Sequence, residues 1–433
     1  MKRFDDMKKT FSGLLLWVIS SLTLHAGITI EDCVCKAEQN YPLIKKYDLL
    51  NRTREIDLSD IDKSWLPRID AYGQVTAQNI VPSFPETLAG VLEQMGQKMS
   101  GLGKLQYKVG VDVSQTIWDG GVSRSRRQLV RSQDAVQKSA IDVELYAVRE
   151  RVENLFFAIL LTEEQIAQSR VTYGLLQHNL DKLRAMFRNG TAMQSDLDMI
   201  EAQALTVNQR ISQAQSAVKG YRRVLELFVG ESLADMTLDR PLAEIPASFE
   251  PDRPELRLFD HQLSANKIAA DLTDTSLMPK IGFFGQAYYG YPGFNYFKSM
   301  INRDLSFNVM AGLKVSWNID SFYSKKNNSR RTAVNADNIN ADRELFLFNN
   351  RLQSSSQMEA IDGLKSVMKD DARIVALRAN VRKAAESQLE NGIIDATALL
   401  TKISDENIAG LTAKLHEIQL LQEIYKLKYT LNR

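Results

Sequence analysis

The sequence is poor in cysteine, histidine and proline: its 433 residues contain two, four and ten of them. Cys33 and Cys35 stand only two positions apart, a spacing that strains a disulfide bond. The histidines are scattered, so the sequence indicates no metal site. We therefore expect two small unreactive thiols, no metal and no cofactor. The prolines avoid two long stretches of helical pattern, which can then run without a break.

The chain also lacks an excess charge and the common catalytic motifs. Its 54 basic and 53 acidic residues give a net charge of +1, which argues against a broad nucleic-acid surface. It has no P-loop, no glycine-rich dinucleotide turn, no G-x-S-x-G and no H-E-x-x-H. We expect no enzymatic activity, no catalytic residues and no nucleic-acid partner.

Long hydrophobic runs are missing after the N-terminus. Residues 11–24 form an apolar run behind four basic residues, and Ala26-Gly27 offers a small-residue cleavage point. The run has about 14 residues, fewer than the roughly 20 that span a bilayer, so residues 1–26 are predicted to be a signal peptide rather than a retained anchor. No later stretch has 18 consecutive apolar residues. Any later membrane crossing would therefore use strands.

Four segments instead show the period-two alternation of strands, at about 68–79, 105–118, 280–290 and 305–320. Each has roughly the length of a tilted strand that crosses a bilayer. One face of each segment is apolar and the other is polar. The side chains predicted to face lipid are Tyr107, Val109, Val111, Val113, Phe307, Val309, Leu313 and Val315.

A very long helical pattern follows the second strand. It starts after Gly120-Gly121 and continues for about 65 to 70 residues, or about 100 Å of helix. Apolar residues recur at steps of four and three, as in Ile141, Leu145 and Val148, which is the spacing of a coiled coil. A plain bundle would share this spacing, whereas polar residues on the other faces favour a water-filled helical tube.

The plan of the chain occurs twice. Pro42 and Pro67 are 25 residues apart, as are Pro254 and Pro279, and the two pairs are offset by 212. We predict a first repeat at 27–230, a linker at 231–252 and a second repeat at 253–433. Each repeat comprises a helix, a strand, a loop, a strand, a very long helix, an Asn-Gly break and a helix. The breaks, predicted to be tight helical turns, are Asn189, Gly190 and Thr191 in the first repeat and Asn391 and Gly392 in the second.

Four strands cannot close a membrane barrel alone, because about eight are the observed minimum. An open edge in lipid leaves backbone groups unpaired at several kcal/mol each. Several identical chains must therefore pool their strands. Three chains would supply twelve strands and four would supply sixteen, and composition does not choose between them.

The tandem repeats, the strand ending in IWDGG before a long helix, and the Asn-Gly turns resemble the TolC-like outer-membrane efflux channels. The resemblance covers nearly all of the mature chain. It implies a mainly α-helical homotrimer with one twelve-stranded membrane β-barrel, four strands from each chain, continued by a coiled-coil periplasmic tunnel. It also implies an outer-membrane location in a Gram-negative-type envelope, with the helical part in the periplasm. Partners would be outer-membrane lipid, a periplasmic adaptor and an inner-membrane RND or ABC pump.

By that resemblance the chain is the exit duct of a tripartite efflux or type I secretion system, conducting small molecules or proteins. The Asn-Gly turns map to the tips that bind the adaptor and gate the entrance. Candidate entrance acids are Asp196, Asp198 and Asp395, fewer after the second tip than the family often carries. The strand-to-helix corners are Gly120 and Gly121 in one repeat and Asp320 and Ser321 in the other. The alternative is a periplasmic coiled-coil adaptor or scaffold protein.

Overall fold

A computed structural model describes residues 27–96, 101–233, 236–242 and 244–433. The predicted signal peptide lies outside the described residues. The chain divides into two compact units, and both sequence repeats contribute to each of them. The helical unit holds the described residues up to Tyr47, together with Ser139–Arg257 and Asp342–Arg433. The sheet unit holds Asp48–Lys138 and Leu258–Ala341.

From the helix that precedes the first strand onward, the elements follow the same order in both halves of the chain, and the first half has one additional helix at its start. The first half contains α1 (Ile30–Asn40), α2 (Lys45–Lys63), β1 (Arg68–Ala77), α3 (Glu86–Gln94), β2 (Leu105–Trp118), α4 (Val122–Arg188) and α5 (Gln194–Val229). The second contains α6 (Pro254–Thr275), β3 (Lys280–Tyr291), α7 (Tyr296–Ile301), β4 (Ser306–Ser316), α8 (Ser321–Glu390) and α9 (Ala396–Leu431). A 3-10 turn, Pro42–Ile44, joins α1 to α2.

The four strands form one antiparallel sheet in the order β1-β2-β3-β4. Val111 lies opposite Ala71 on one side and Ala287 on the other, and Ala287 lies opposite Val309. The β2–β3 pair therefore joins the two repeats in a single sheet. Because side chains alternate along a strand, this register places the apolar positions of all four strands on one face and the polar positions on the other.

The last strand is shorter than its alternating pattern predicts. β4 ends at Ser316 rather than near residue 320. The Trp317 indole nitrogen donates a hydrogen bond to the Leu277 carbonyl at 3.0 Å, and the Asn318 side chain donates to Ser321 Oγ at 3.0 Å. These contacts take the chain out of the strand ladder and into α8. We expected the β1–β2 and β3–β4 connections to be loops, and each of them also contains a short helix, α3 and α7 respectively.

The helical unit is held together by the apolar positions with heptad spacing. Val148, Val152 and Ile159 of α4 are buried against Leu225 of α5 and Ile418 of α9. Burying one such side chain stabilises the fold by about 1.5–3 kcal/mol. In the part of the chain that the structure describes, no helix combines the length and the apolar character needed to cross a bilayer.

The first residues of the segment between the repeats pack against the helical unit. Leu233 is fully buried in the same core as Val152. The Arg222 guanidinium donates to the carbonyls of Leu233 and Met236 at 2.9 and 2.8 Å. Ile28 and Leu238 form a parallel bridge. The chain therefore packs against α5 as it leaves the first repeat.

The two cysteines are free thiols. Cys33 lies in the core of the helical unit, where burial raises the pKa of its thiol to about 11. Cys35 is exposed, and its sulfur accepts a hydrogen bond from the Gln39 amide at 3.3 Å. A thiol that stays protonated at neutral pH is a poor nucleophile, so Cys33 is a small apolar core residue.

Candidate functional site: hairpin ends and sheet surfaces

The first Asn-Gly break is the turn of the α4–α5 hairpin. Gly190 has φ +76°, a left-handed conformation that glycine adopts without strain. The Thr191 backbone nitrogen and hydroxyl both donate to the Met186 carbonyl at 3.0 Å, which closes the end of α4. A Cβ at Gly190 would have no atom within 4 Å, so the backbone conformation alone favours glycine there.

The second break ends the α8–α9 hairpin in the same way. Gly392 has φ +70°, and a Cβ at this position would have no atom within 4 Å. The Ile393 nitrogen donates to the Gln388 carbonyl at 2.9 Å, and the Asn391 amide donates to the Ser387 carbonyl at 2.8 Å. Both turns are exposed at the surface of the chain.

Two of the three candidate entrance acids hold the starts of helices. The Asp196 carboxylate accepts a hydrogen bond from the Met193 nitrogen at 3.0 Å, and Asp395 accepts one from the Ala398 nitrogen at 2.8 Å. Such caps stabilise a helix by about 1 kcal/mol. Asp198 instead accepts a hydrogen bond from the Gln194 amide at 2.7 Å and is exposed. A structural role therefore accounts for Asp196 and Asp395 within one chain.

The structure brings the two hairpin ends together. Leu183, Leu197, Leu389 and Leu399, one from each of the four helices, belong to one buried cluster. The Lys182 ammonium contacts the Glu390 carboxylate at 2.6 Å and, by this hydrogen bond, lowers the pKa of that carboxyl. Since this ion pair joins α4 to α8 near both turns, the two turns belong to one compact end of the helical unit.

The two strand-to-helix corners differ. Gly120 and Gly121 have φ +74° and +92°, and a Cβ at Gly120 would lie 2.5 Å from the Met278 side chain. The Asp119 carboxylate accepts from the backbone nitrogens of Gly121 and Ser123 at 2.9 and 2.6 Å, which caps α4. Asp119 is a site residue that the sequence analysis missed, although its position before a helix start is a capping signal. At the other corner, α8 begins at Ser321, directly after Asp320.

All the side chains predicted to face lipid lie on one face of the sheet, as the strand register requires. Val109 and Phe307 are 70% and 72% exposed in the single chain. Tyr107, Val111, Val309, Leu313 and Val315 are also exposed, and Val113 is half-buried. The described residues therefore leave a continuous apolar sheet face uncovered.

The opposite face is polar and internally bonded. The Gln286 amide donates to the Tyr72 hydroxyl at 3.1 Å and to the Asp112 carboxylate at 3.0 Å, which ties three strands together. The Lys108 ammonium lies 5.7 and 5.5 Å from the ring centroids of Tyr72 and Tyr288. These cation–π contacts hold the ammonium over the sheet.

Both outer edges of the sheet are open. Among the described residues β1 pairs with β2 alone and β4 with β3 alone. The outer edges are 10 and 11 residues long. Unpaired edges of this length are templates for pairing with another strand.

No protein-family model and no curated protein sequence matches the chain. Solved structures do. The chain is similar to the outer-membrane channel CmeC of Campylobacter jejuni, with 12% identity, TM-score 0.64, and 93% of this chain and 85% of that chain covered. It is also similar to CusC, described as forming a transmembrane channel, with 13% identity, TM-score 0.66, and 95% of each chain covered. A third similar structure is the open state of the MtrE outer-membrane channel of Neisseria gonorrhoeae, with 13% identity, TM-score 0.62, and 92% of this chain and 88% of that chain covered. The expected fold class is confirmed: the chain has the fold of these channels, with long helical hairpins and four strands.

Proposed function

We propose that the chain is one subunit of a trimeric outer-membrane exit duct. Three copies would pair β1 of one with β4 of the next, giving a closed barrel of twelve strands. The helical units would extend into the periplasm as a tunnel. The duct conducts passively, because energy for export would come from an inner-membrane pump of the RND or ABC class. Its cargo would be small molecules or proteins delivered through a periplasmic adaptor.

The observation that carries this proposal is the uncovered sheet. Eight named apolar side chains lie on one face, and removing each from water is worth about 1.5–3 kcal/mol. Lipid would supply that burial. Both edges are also open, and each backbone group left unpaired in lipid costs several kcal/mol. Lipid would therefore cover the apolar face, and pairing among identical chains would satisfy the backbone groups of both edges. The shared fold with three outer-membrane channels supports the same assembly.

We further propose that the paired hairpin ends bind the adaptor and gate the tunnel. Asn189, Gly190 and Thr191 would form one tip, and Asn391 and Gly392 the other. The exposure of both turns and their common buried cluster support this role. The Lys182–Glu390 ion pair would help to hold the two hairpins in register. Asp198, whose carboxylate does not cap a helix, would be the acid that faces the tunnel entrance.

Single-channel recording in a planar bilayer tests the proposal. Purified protein should insert and give discrete, uniform conductance steps, as a closed water-filled barrel would. A periplasmic adaptor or scaffold would remain in the aqueous phase and give no steps. Protein that is recovered only from the soluble periplasmic fraction, without detergent, would therefore end the channel interpretation. A heat-unfolded sample of the same preparation is the matched control.

A further inference from the structure

All charged residues of the four strands lie on the polar face of the sheet. These are Arg68, Asp70, Lys108, Asp112, Lys280 and Lys314. Four cations against two carboxylates leave a charge of +2 on this face in each chain. Since the whole chain carries only +1, the excess is local to the sheet.

Three of the four cations gather at the end of the sheet where the strands connect to the helices. We call Arg68, Lys280 and Lys314 the basic collar. Lys280 lies opposite Ser316, two residues from Lys314, so the two lysines are diagonal neighbours, about 7–8 Å apart. Arg68 lies opposite Ser114 in the same register. All three line one hollow of about 430 Å³ together with Ser114, Thr116 and Phe284.

Among the described residues, the two lysines of the collar have no acidic partner. Arg68 pairs with Asp70 at 2.9 Å, and Asp112 accepts from the Gln286 amide, so each carboxylate of this face is already occupied. Within the described residues neither Lys280 nor Lys314 comes within ion-pair distance of a carboxylate. Both are exposed on the polar face, so their charge acts on whatever passes along it.

We propose that the basic collar makes the duct favour anionic permeants. This inference rests on the proposed function, in which the polar face lines the lumen. Twelve strands spaced about 4.8 Å apart and tilted about 40° give a backbone radius of about 12 Å. A lysine side chain covers about half of that radius. The ammonium groups therefore lie within one Debye length, about 8 Å, of the axis.

Six unpaired lysines in a trimer then act together on the axis. For six charges 8 Å away in water at physiological ionic strength, the screened attraction enriches a monovalent anion about sevenfold. Cations are depleted by the same factor. The cargo class this favours is small molecules that carry a carboxylate, phosphate or sulfate group.

The test measures reversal potential under a KCl gradient across a planar bilayer. Chloride is enriched and potassium depleted about sevenfold each, so we expect the wild-type channel to pass chloride up to about 50-fold better than potassium. The double variant Lys280→Gln/Lys314→Gln reduces the strand charge from +2 to zero per chain, so its permeability ratio should fall to about one. Lys280→Arg/Lys314→Arg keeps the charge and should keep the ratio. The matched control is Lys298→Gln in α7, which removes a lysine outside the strands and should leave the ratio unchanged.

The outcomes separate this inference from the proposed function. A wild-type channel that conducts but favours potassium overturns the basic collar while the duct stands. The same holds if the double variant conducts with the wild-type ratio, or if Lys298→Gln shifts the ratio as far as the double variant does. Absence of any conductance from folded protein rejects the duct itself, and the collar with it.

Discussion

Two neighbouring residues of β4 provide the sharpest test of which sheet face meets lipid. Val309 and Met310 are both exposed in the single chain, at 61% and 43%. Val309 lies on the apolar face opposite Ala287, and Met310 lies on the polar face opposite Gln286. In a soluble protein an arginine at either position would be solvated and would cost little. In the proposed barrel only position 310 faces water.

The magnitude follows from the depth of the strand in the bilayer. An arginine on the lipid face of a barrel costs about 2–4 kcal/mol near the midplane. Three subunits carrying Val309→Arg would therefore lose about 6–12 kcal/mol per trimer. Met310→Arg places its guanidinium in the lumen beside Gln286 and should change the free energy of unfolding by less than about 1 kcal/mol.

The assay is the amount of assembled protein in the outer-membrane fraction, followed by denaturant unfolding of the purified trimers. Val309→Arg should be nearly absent from the membrane or unfold at much lower denaturant concentration. Met310→Arg should resemble the wild type. Equal behaviour of the two variants, whether both stable or both lost, would refute the assignment of the two faces.

Three further predictions concern the helical unit and the corner. Gly190→Val and Gly392→Val should each impair export with trimers intact, because a β-branched residue is strained at positive φ; Gly190→Asn is the tolerated control, and normal drug tolerance of both valine variants would refute their role as tips. Gly120→Val should reduce folded yield, since its Cβ would meet Met278 at 2.5 Å, whereas Gly121→Asn should fold; equal yields would contradict the corner packing. Burial raises the pKa of the Glu153 carboxyl to about 7, although the hydrogen bond from Arg149 opposes this shift. Protonation of Glu153 therefore stabilises the fold fully below about pH 4.5, and this stabilisation is lost as the pH rises through 7. Glu153→Gln should therefore raise Tm at pH 8, with a gain of at most about 3 kcal/mol in the free energy of unfolding, and should have little effect at pH 4. A variant whose Tm at pH 8 equals that of the wild type would contradict this reasoning.

Much of the fold could be predicted from the sequence because its patterns are local. Alternation located all four strands to within a few residues, and heptad spacing identified Val148 and Val152 as core residues. The β2–β3 pairing could not be read in the same way, since it joins strands about 170 residues apart and depends on how the repeats fold together. The end of β4 at Ser316 depends on one indole hydrogen bond to Leu277, which no periodicity encodes.

The candidate site was predicted less completely. The Asn-Gly turns were visible because positive φ selects a residue type. The basic collar was not, because Arg68, Lys280 and Lys314 come from three strands and meet only through the register. The roles of Asp196 and Asp395 also depend on local hydrogen bonds, which turn two candidate entrance acids into helix caps. The role of Asp196 and Asp395 as entrance acids in the assembled tunnel stays a prediction.

We infer that one chain cannot pair the outer edges of its own sheet, and that it must share the sheet with copies of itself. The mass of the purified protein, measured by native mass spectrometry after extraction from membranes, tests this directly. We predict that detergent is required for extraction and that the particle has three times the mass of the mature chain. A monomer that stays dispersed in water without detergent would contradict it.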